Sequence, residues 1–585
     1  MRMSLDQKIG QMTQPERLHV TPAEVKEYHV GSVLSGGGSC PADNHPADWV
    51  AMNDAYWAAS MEADAGHLAI PILYGVDAVH GNANVRGATV FPHNIGLGAA
   101  GDPDLLERVG RVTAREVLAA GVDWTFAPTL AVVRDPRWGR TYESYSQDAG
   151  VVAGYAERIV RGLQGEGILA CAKHWVGDGG TEAGVDQGDT VIDEEELRRV
   201  HVAPYSAAVE AGVLTVMASL SSWKGEKCHA HRYLIQDLLK GEMGFTGFVL
   251  SDWNGVDPLA GDYGEAAAMA VNAGIDMLMV PERWREVIGE LKQQVKRGVV
   301  PIGRIDDAVA RILRVKFACG LFERPQPAAR QASNGVAFGS REHRAVAREA
   351  VRKSLVLLKN KGGLLPLDEG ARILVAGPAA HDRGRQCGGF TIEWQGVSGN
   401  AAIEGGTSIW EGIRAVAPRA VRWADEGEVS DARDFDVGVV IVGEQPYAEG
   451  LGDIREPSPV RPGAHLSVAP DTLEPYGNTL EFAALHPEAL RTIRELADQG
   501  IPVVTVLISG RPLVVNDELA ASSAFVAAWL PGSEGGGVAD VLFGEHPFAG
   551  RLPVAWPSEM PGGNGRGGTG NDGVLFPRGY GLQPR

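Results

Sequence analysis

The stretch FVLSDWNG at positions 248–255 places a short apolar segment immediately before a serine, an aspartate and a tryptophan. Other short apolar runs occur in the first part of the chain, at 30–35, 70–76, 124–130, 168–172, 213–217 and 275–280. Continuous apolar runs of this length are typical of parallel strands buried on both faces. Helical patterns such as 103–120 and 194–211 lie between them, so the alternation predicts an α/β domain.

The seven predicted strands are one short of the eight in a (β/α)8 barrel. An open, doubly wound sheet is the alternative architecture. The barrel is favoured because polar residues cluster directly after the strands, at the end where barrel active sites lie. We therefore expect an N-terminal (β/α)8 TIM-like barrel over residues 1–323, with one short or irregular strand.

A linker and a second domain are predicted for the rest of the chain. Residues 324–339 contain Pro325 and Pro327 and little apolar periodicity, which indicates a linker. Ser340 is a suitable helix N-cap, and apolar or small residues then recur every four positions at Val346, Ala350, Ser354 and Leu358. Further apolar runs at 373–376, 437–442, 503–508 and 525–530 predict a C-terminal α/β three-layer sandwich over residues 340–585.

Composition narrows the class of partner. The 585 residues carry a net charge of −20, which disfavours binding to nucleic acid or to an anionic membrane surface. No run of about 18 apolar residues predicts a membrane span. The five cysteines lie far apart without a CxxC pair, so neither a disulfide framework nor a zinc site is indicated. A neutral small molecule fits best as ligand, and the oligomeric state stays open.

The N-terminal residues contain no apolar core of a signal peptide. A cytoplasmic protein and a trimmed periplasmic or secreted form therefore both remain open.

Polar or functional side chains stand at the ends of five predicted strands. They are Asp77, Arg140 in RDPRWGR, the pair Lys173–His174, Met217 and Asp252. Any one of them has an ordinary structural explanation, such as a helix cap or an ion pair. In a barrel, however, all five strand ends meet at one face. The group therefore predicts a single site rich in hydrogen-bonding groups.

Such a set suits a polyhydroxylated ring, because carboxylate, guanidinium, ammonium and imidazole groups donate and accept many hydrogen bonds without a metal. Trp253, next to Asp252, and Trp394 in GGFTIEWQG offer flat apolar faces on which a sugar ring can stack. Core packing is the alternative explanation for either tryptophan. We expect no cofactor and no metal ion.

The motifs resemble glycoside hydrolase family 3, in its β-glucosidase and exo-1,3(1,4)-β-glucanase branch. The matching runs span almost the whole chain in order: KIGQM, GVDAVHG, RDPRWGRTYESYS, KHWVGDGGT, LSDWNG, GGFTIEWQG, GEQPYAEGLGD, SGRPL and AAWLPGSEGG. The resemblance implies a barrel followed by an α/β sandwich, with the active site in the cleft between them.

The resemblance also implies roles for individual residues. Asp252 matches the nucleophile, and Glu449 matches the general acid/base supplied by the second domain. The residues that match contacts to the hydroxyl groups of the terminal sugar are Asp77, Arg140, Lys173 and His174. Trp253 and Trp394 match the pair that sandwiches the next sugar. Glu444 and Asp453, close to Glu449 in sequence, compete for the acid/base role.

Three positions depart from the plant members of the family. Leu220 replaces an aromatic residue, Gln187 replaces a glutamate and Pro258 replaces an arginine. These changes leave the predicted carboxyl pair intact and bear on linkage preference. Gln187 stays a candidate substrate-binding residue, because its amide can still bind a hydroxyl group.

The expected function is therefore retaining hydrolysis of terminal non-reducing β-D-glucosyl residues of cello- or laminari-type oligosaccharides by double displacement. A β-xylosidase or another β-glycosidase of the same fold is one alternative. A non-catalytic glycan-binding protein is another, although such a protein has no need of both carboxyl groups.

Overall fold

The protein is described from a computed structural model, which covers residues 3–334, 338–422, 432–456, 474–562 and 573–584. The chain folds into two α/β domains, each with its own buried apolar core. In the described residues, no helix combines the length and the apolar character needed to cross a membrane.

Eight short parallel strands form the centre of the first domain. They are β1 (Thr13–Gln14), β2 (Ser32–Ser35), β3 (Leu73–Val76), β4 (Trp124–Thr125), β5 (Cys171–Trp175), β6 (Thr215–Ala218), β7 (Phe248–Leu250) and β8 (Leu278–Met279). Ladders join β2 to β3, β3 to β4, β5 to β6, β6 to β7 and β8 to β1. Single parallel bridges just beyond the strand ends connect the remaining neighbours: Glu16–Leu34, Trp124–Leu169 and Leu250–Met277. The seven strands predicted from apolar runs are all present.

The additional strand is β1, which pairs with Leu278 and Met279 of β8. It consists of Thr13 and Gln14, both fully buried. Gln14 donates from Nε2 to Ser32 Oγ at 2.7 Å, and Thr13 donates from Oγ1 to the carbonyl of Ile9 at 2.8 Å. Two buried polar residues leave no apolar run, which is why the pattern did not predict this strand.

Helices surround these strands. They are α1 (Leu5–Gln11), α2 (Pro22–Glu27), α3 (Pro46–Met61), α4 (Asn94–Ala100), α5 (Pro103–Ala119), α6 (Ala149–Gly165), α7 (Glu194–Glu196), α8 (Ala203–Glu210), α9 (Tyr263–Ala273), α10 (Trp284–Lys296) and α11 (Ile302–Ala318), with π-helical segments Leu197–Val202 and Tyr233–Glu242. The predicted helix at 103–120 matches α5, which Asp102 caps by accepting the amide of Leu105. The second predicted helix, 194–211, contains α7, a π-helical segment and α8.

The predicted linker, 324–339, contains helix α12 (Pro327–Asn334), which packs against α3. Residues 335–337 of this segment lie outside the described residues. The next helix, α13 (Arg341–Ser354), begins after Ser340, whose hydroxyl accepts the amide of His343. The predicted N-cap is therefore confirmed.

The second domain is built on one six-stranded sheet with the order β9-β14-β13-β12-β10-β11. Its strands are β9 (Val356–Asn360), β10 (Ile373–Ala376), β11 (Val421–Arg422), β12 (Val437–Gly443), β13 (Val503–Ile508) and β14 (Ala524–Trp529). Only β9, at one edge, runs antiparallel to its neighbour. The accompanying helices are α14 (Arg383–Cys387), α15 (Ile409–Val416), α16 (Phe482–Leu485), α17 (Pro487–Asp498), α18 (Asn516–Ala521) and α19 (Gly536–Leu542).

The expectation that one helix face extends to Leu358 is wrong. Helix α13 ends at Ser354, and Leu355 is extended with φ −69° and ψ 127°. Residues 355–358 form a continuous apolar run, which favours a buried strand over an amphipathic helix. Leu358 therefore lies in β9 beside β14.

Candidate active site

A cavity of about 150 Å³ lies where the two domains meet. First-domain residues supply most of its wall: Leu34, Gly37, Asp77, Phe126, Arg140, Lys173, His174, Met217, Leu220, Asp252, Trp253 and Met279. Phe390, Trp394 and Glu449 line it from the second domain. The structure thus brings together nine of the ten residues predicted for the site.

Strand ends place the polar side chains. Asp77 directly follows β3, and Asp252 follows β7 after one serine. Lys173 and His174 are consecutive in β5, yet both line the cavity. In a regular strand they would point to opposite faces, but the pairing of β5 with β6 is irregular between Ala172 and Trp175.

Lys173 and Asp77 form an ion pair at one side of the cavity. Nζ of Lys173 donates to Asp77 Oδ1 at 2.6 Å and lies 5.9 Å from the centre of the Phe390 ring. Burial by itself lowers the pKa of Lys173, but the charges of Asp77 and Glu143 outweigh it and raise that pKa. The ammonium group therefore stays charged and keeps hydrogen atoms to donate to a ligand.

His174 stands between three charged groups. Its Nδ1 lies 2.6 Å from Asp178 Oδ2, and its Nε2 lies 3.6 Å from Asp252 Oδ2. The same Nε2 is 3.3 Å from NH2 of Arg140. Asp178 also accepts from the hydroxyl of Ser219 at 2.5 Å, so this buried carboxyl group fixes the orientation of the imidazole ring.

The carboxyl group of Asp252 accepts the backbone N–H of Trp253 at 2.7 Å. Its own backbone N–H donates to Nε2 of His229 at 2.9 Å. These bonds hold the turn after β7 and leave Asp252 Oδ2 facing His174 inside the cavity.

Arg140 is held rigidly by Glu143. Its Nε and NH2 donate to the two carboxyl oxygens of Glu143 at 2.6 and 3.0 Å, which is the strong, two-pronged geometry of a guanidinium–carboxylate pair. Its remaining nitrogen, NH1, lies 3.9 Å from Glu449 Oε1. Burial by itself lowers the pKa of Arg140, but the negative charge of Glu143 outweighs it and raises that pKa, so the guanidinium stays charged.

Glu449 begins a short 3-10 turn, Glu449–Gly452, and has a left-handed φ of 51°. The indole Nε1 of Trp394 donates to its Oε1 at 3.2 Å. Burial raises the pKa of Glu449 to about 8; Arg140 opposes this shift, while the negative charges of Asp186, Asp252 and Glu143 add to it. The cavity therefore holds a carboxyl group that is protonated at neutral pH beside Asp252.

The two competing carboxyl groups lie outside this cavity. Glu444 is buried against Arg511, with Nε of Arg511 3.1 Å from its Oε1, and also accepts from Tyr447 Oη and from the amide of Gly510. Asp453 is 1% exposed and accepts two backbone amides, those of Gly139 and Asp186. Neither lines the cavity, whereas Glu449 does.

Gln187 is the one predicted site residue that the structure does not bring into the cavity wall. It has a left-handed φ of 58°, and its carbonyl oxygen lies 3.3 Å from Nζ of Lys227. The preceding side chain, Asp186, points to the domain boundary instead and accepts from Trp138 Nε1 at 2.9 Å. Leu220, set aside from its sequence, does line the cavity.

Several residues that shape the site were missed by sequence reasoning. Glu143 and Asp178 follow Arg140 and His174 by three and four positions, a spacing that could have suggested pairs. Phe390 and Gly37 gave no such signal. Among the described residues no cluster of three metal-ligating side chains occurs.

Comparisons with known proteins agree with this architecture. The family model "Glycosyl hydrolase family 3 N terminal domain" matches residues 4–315, and the corresponding C-terminal domain model matches residues 355–583. The chain is 31% identical to a lysosomal β-glucosidase of Dictyostelium discoideum, over 98% of this chain and 72% of that protein.

Solved structures are similar over the full length. An exo-1,3/1,4-β-glucanase from a Pseudoalteromonas species is 44% identical, with a TM-score of 0.92 over 100% of this chain and 73% of that one. A β-glucosidase from Listeria innocua, solved in complex with glucose, is 27% identical, with a TM-score of 0.82 over 100% of this chain and 82% of that one. The resemblance seen in the sequence motifs is thus confirmed, and the chain belongs to glycosyl hydrolase family 3.

Proposed function

We propose that this protein is a retaining, exo-acting β-glucosidase that hydrolyses terminal non-reducing β-D-glucosyl residues of cello- and laminari-type oligosaccharides. The observation that carries the proposal is that Asp252 and Glu449 line one small cavity from opposite domains. Burial, which raises the pKa of Glu449 to about 8, suits it to the role of proton donor. Retaining hydrolysis requires two carboxyl groups, one ionised and one protonated, about 5–5.5 Å apart. The names of the relatives, a β-glucanase and β-glucosidases, support the same activity.

In the first step, Asp252 attacks the anomeric carbon and forms a covalent glycosyl ester. Glu449 donates its proton to the glycosidic oxygen, so the bond to the departing sugar breaks and that sugar leaves as a neutral alcohol. Amide and imidazole contacts already fix the position of Asp252, which lowers the entropic cost of reaching the reacting carbon.

In the second step, Glu449 acts as a base. The negative charge of Asp252 raises the pKa of Glu449 in the free enzyme, and that charge disappears when the glycosyl ester forms. The pKa of Glu449 therefore falls in the intermediate, when it must take a proton from the attacking water. Water attacks the anomeric carbon, the ester bond breaks, and the Asp252 carboxylate returns.

The remaining wall residues bind the sugar. Asp77, Arg140, Lys173 and His174 would bind the hydroxyl groups of the terminal glucose, with Met217 as an apolar neighbour. Trp253 and Trp394 would stack on the next sugar. Exo action is supported by the similarity to an exo-1,3/1,4-β-glucanase.

The proposal extends to the fold. We infer that the eight parallel strands of the first domain form a closed (β/α)8 barrel. The pairing of β1 with β8 and the bridge from Glu16, two residues after β1, to Leu34 of β2 support this. The domain bounds that suit this arrangement are 1–323 for the barrel, 324–339 for the connection and 340–585 for an α/β three-layer sandwich. On these bounds, the nucleophile and the acid/base belong to different domains.

The decisive experiment is labelling with 2,4-dinitrophenyl 2-deoxy-2-fluoro-β-D-glucoside, which forms a long-lived glycosyl ester on a retaining enzyme. Peptide mass mapping should find the label on Asp252; a label elsewhere would contradict the nucleophile assignment. Comparing kcat/KM for 4-nitrophenyl β-glucoside and β-xyloside then tests the sugar preference. Binding of glucose without turnover of any glycoside would favour the glycan-binding alternative.

A further inference from the structure

Asp453 connects the turn that carries Glu449 to the first domain. It follows the 3-10 turn Glu449–Gly452 directly and is 1% exposed. Its Oδ1 accepts the backbone N–H of Gly139 at 2.9 Å, and its Oδ2 accepts the backbone N–H of Asp186 at 3.1 Å. Each carboxyl oxygen thus bonds to a different loop of the other domain.

These two loops are themselves close to the site. Gly139 precedes Arg140, whose guanidinium lies 3.9 Å from Glu449. The loops are also joined to each other, because Trp138 Nε1 donates to Asp186 Oδ1 at 2.9 Å. Asp453 therefore bonds to a preassembled surface of the first domain.

Gly139 and the 449–452 turn contact each other through their backbones. A Cβ atom at Gly139 would lie 2.2 Å from the carbonyl oxygen of Glu449 and 2.7 Å from the carbonyl carbon of Gly452, distances that no folded chain tolerates. The turn consequently rests on the first domain with no side chain between them. On the other side, Arg511 NH2 donates to the carbonyl of Gly452 from within the second domain.

We propose that Asp453 is a positioning residue for proton transfer by Glu449, because its carboxyl group fixes the 449–452 turn against the first domain. The inference rests on the proposed function. A general acid must lie within about 2.6–3.2 Å of the oxygen that it protonates. The glycosidic oxygen is fixed by sugar contacts in the first domain, whereas Glu449 belongs to the second, so a bond between the domains beside Glu449 sets that distance.

Two substrates with different leaving groups distinguish a positioning role from a general loss of stability. The D453N variant keeps the shape of the side chain but replaces one acceptor oxygen with an NH2 group, which cannot accept an amide. We expect kcat/KM for methyl β-glucoside, whose leaving group needs a proton, to fall by about 10²-fold. For 2,4-dinitrophenyl β-glucoside, whose leaving group needs none, kcat/KM should stay close to wild type.

Azide provides a second readout. On 2,4-dinitrophenyl β-glucoside, D453N should slow the second step, and azide should raise its kcat by attacking the anomeric carbon of the glycosyl ester. The products are β-glucosyl azide and the free Asp252 carboxylate, so no base is required. A variant that had only lost stability would give no azide product.

E449Q and D540N serve as comparison variants. E449Q should show the same leaving-group dependence and azide rescue more strongly. Asp540 is a fully buried second-domain carboxylate paired with Arg348 away from the cavity, so D540N should lower Tm without any leaving-group dependence.

An equal fall on both substrates in D453N, or no fall on either, would overturn the positioning role. If E449Q itself lacks leaving-group dependence, the acid/base assignment of the proposed function fails instead.

Discussion

NH1 of Arg140 lies 3.9 Å from Oε1 of Glu449, and the two residues come from different domains. Glu143 holds the guanidinium by two hydrogen bonds, so Arg140 presents a fixed positive charge to the second domain. Burial and three neighbouring carboxylates raise the pKa of Glu449, and the charge of Arg140 only partly opposes this rise, so the pKa is about 8. The pKa of Glu449 therefore depends on the distance between the two domains.

The pH dependence of the reaction should reflect the raised pKa of Glu449. As the proposed general acid, Glu449 can donate a proton only in its protonated form, which predominates below its pKa of about 8. We expect kcat/KM for methyl β-glucoside to hold up to neutral pH and then fall about tenfold per pH unit above pH 8. A pH profile measures this directly.

The matched control is E449Q on 2,4-dinitrophenyl β-glucoside, a reaction that needs no acid. Its profile should lack the alkaline fall. If the fall persists in E449Q, another group titrates there.

The hydrogen bond from Trp394 to Glu449 should contribute separately from the ring. W394F keeps an aromatic face and removes the Nε1 donor 3.2 Å from Oε1. Because a hydrogen bond to a neutral carboxyl group contributes about 0.5–1.5 kcal/mol, kcat/KM for methyl β-glucoside should fall roughly 2- to 10-fold. This substrate has no second sugar, so stacking does not enter the result.

W253F is the control for that experiment. In the part of the chain that the structure describes, Trp253 Nε1 has no hydrogen-bond partner, so removing it should leave turnover of methyl β-glucoside unchanged. Equal losses in the two variants would mean that the ring, and not the Trp394 N–H, accounts for the effect.

Two glycines set the positions of the tryptophan rings. A Cβ at Gly37 would lie 2.7 Å from Cα of Trp394, and a Cβ at Gly36 would lie 2.8 Å from a ring carbon of Trp253. The first clash is with backbone and forces a shift, whereas a ring edge can tilt. G37A should therefore lower kcat/KM for both cellobiose and methyl β-glucoside, by about 10-fold or more. G36A should affect cellobiose alone.

A glycine with open space around it calibrates this comparison. A Cβ at Gly154, in helix α6, would meet nothing within 4 Å. G154A should therefore leave kcat/KM unchanged for both cellobiose and methyl β-glucoside, and it should not destabilise the helix. If G37A behaves like G154A, the space between the rings does not depend on Gly37.

Local sequence predicts some strands of this protein and misses others. Apolar runs predicted seven of the eight parallel strands of the first domain, because a strand buried on both faces needs apolar residues at every position. The same rule could not find β1, whose Thr13 and Gln14 are buried through hydrogen bonds. The four-residue recurrence extended the predicted helix face too far, to Leu358, although the continuous apolar run at 355–358 favours strand β9.

The sequence favoured Glu449 over Glu444 and Asp453 only through the family resemblance, whereas the cavity wall separates the three through tertiary contacts. All three lie within ten residues of one another, so local pattern treats them alike. What distinguishes them is distant in sequence: Arg511 for Glu444, Gly139 for Asp453 and Trp394 for Glu449. The Asp252 strand end was easier to predict, because its environment follows from the strand that precedes it.

The buried ion pair Arg511–Glu444 should contribute strongly to the stability of the second domain. Arg511 is fully buried, donates to Glu444 and Tyr447, and also donates to the carbonyl of Gly452 in the turn beside Glu449. Removing one member of a buried ion pair leaves the other charge uncompensated. We expect R511A to lower the free energy of unfolding of this domain by about 3–5 kcal/mol. The measurement is thermal unfolding, with activity recorded on the folded fraction.

R372A is the matched control on the surface. Arg372 pairs with Asp436 at 2.6 Å, but the two side chains are 57% and 48% exposed, so water screens the pair and Tm should stay within error of wild type. R511K should recover only part of the stability, because lysine keeps the charge but not the fork that reaches both Glu444 and Gly452. A Tm for R511A equal to that of R372A would show that the second domain tolerates the loss of the Arg511–Glu444 pair and would contradict this prediction.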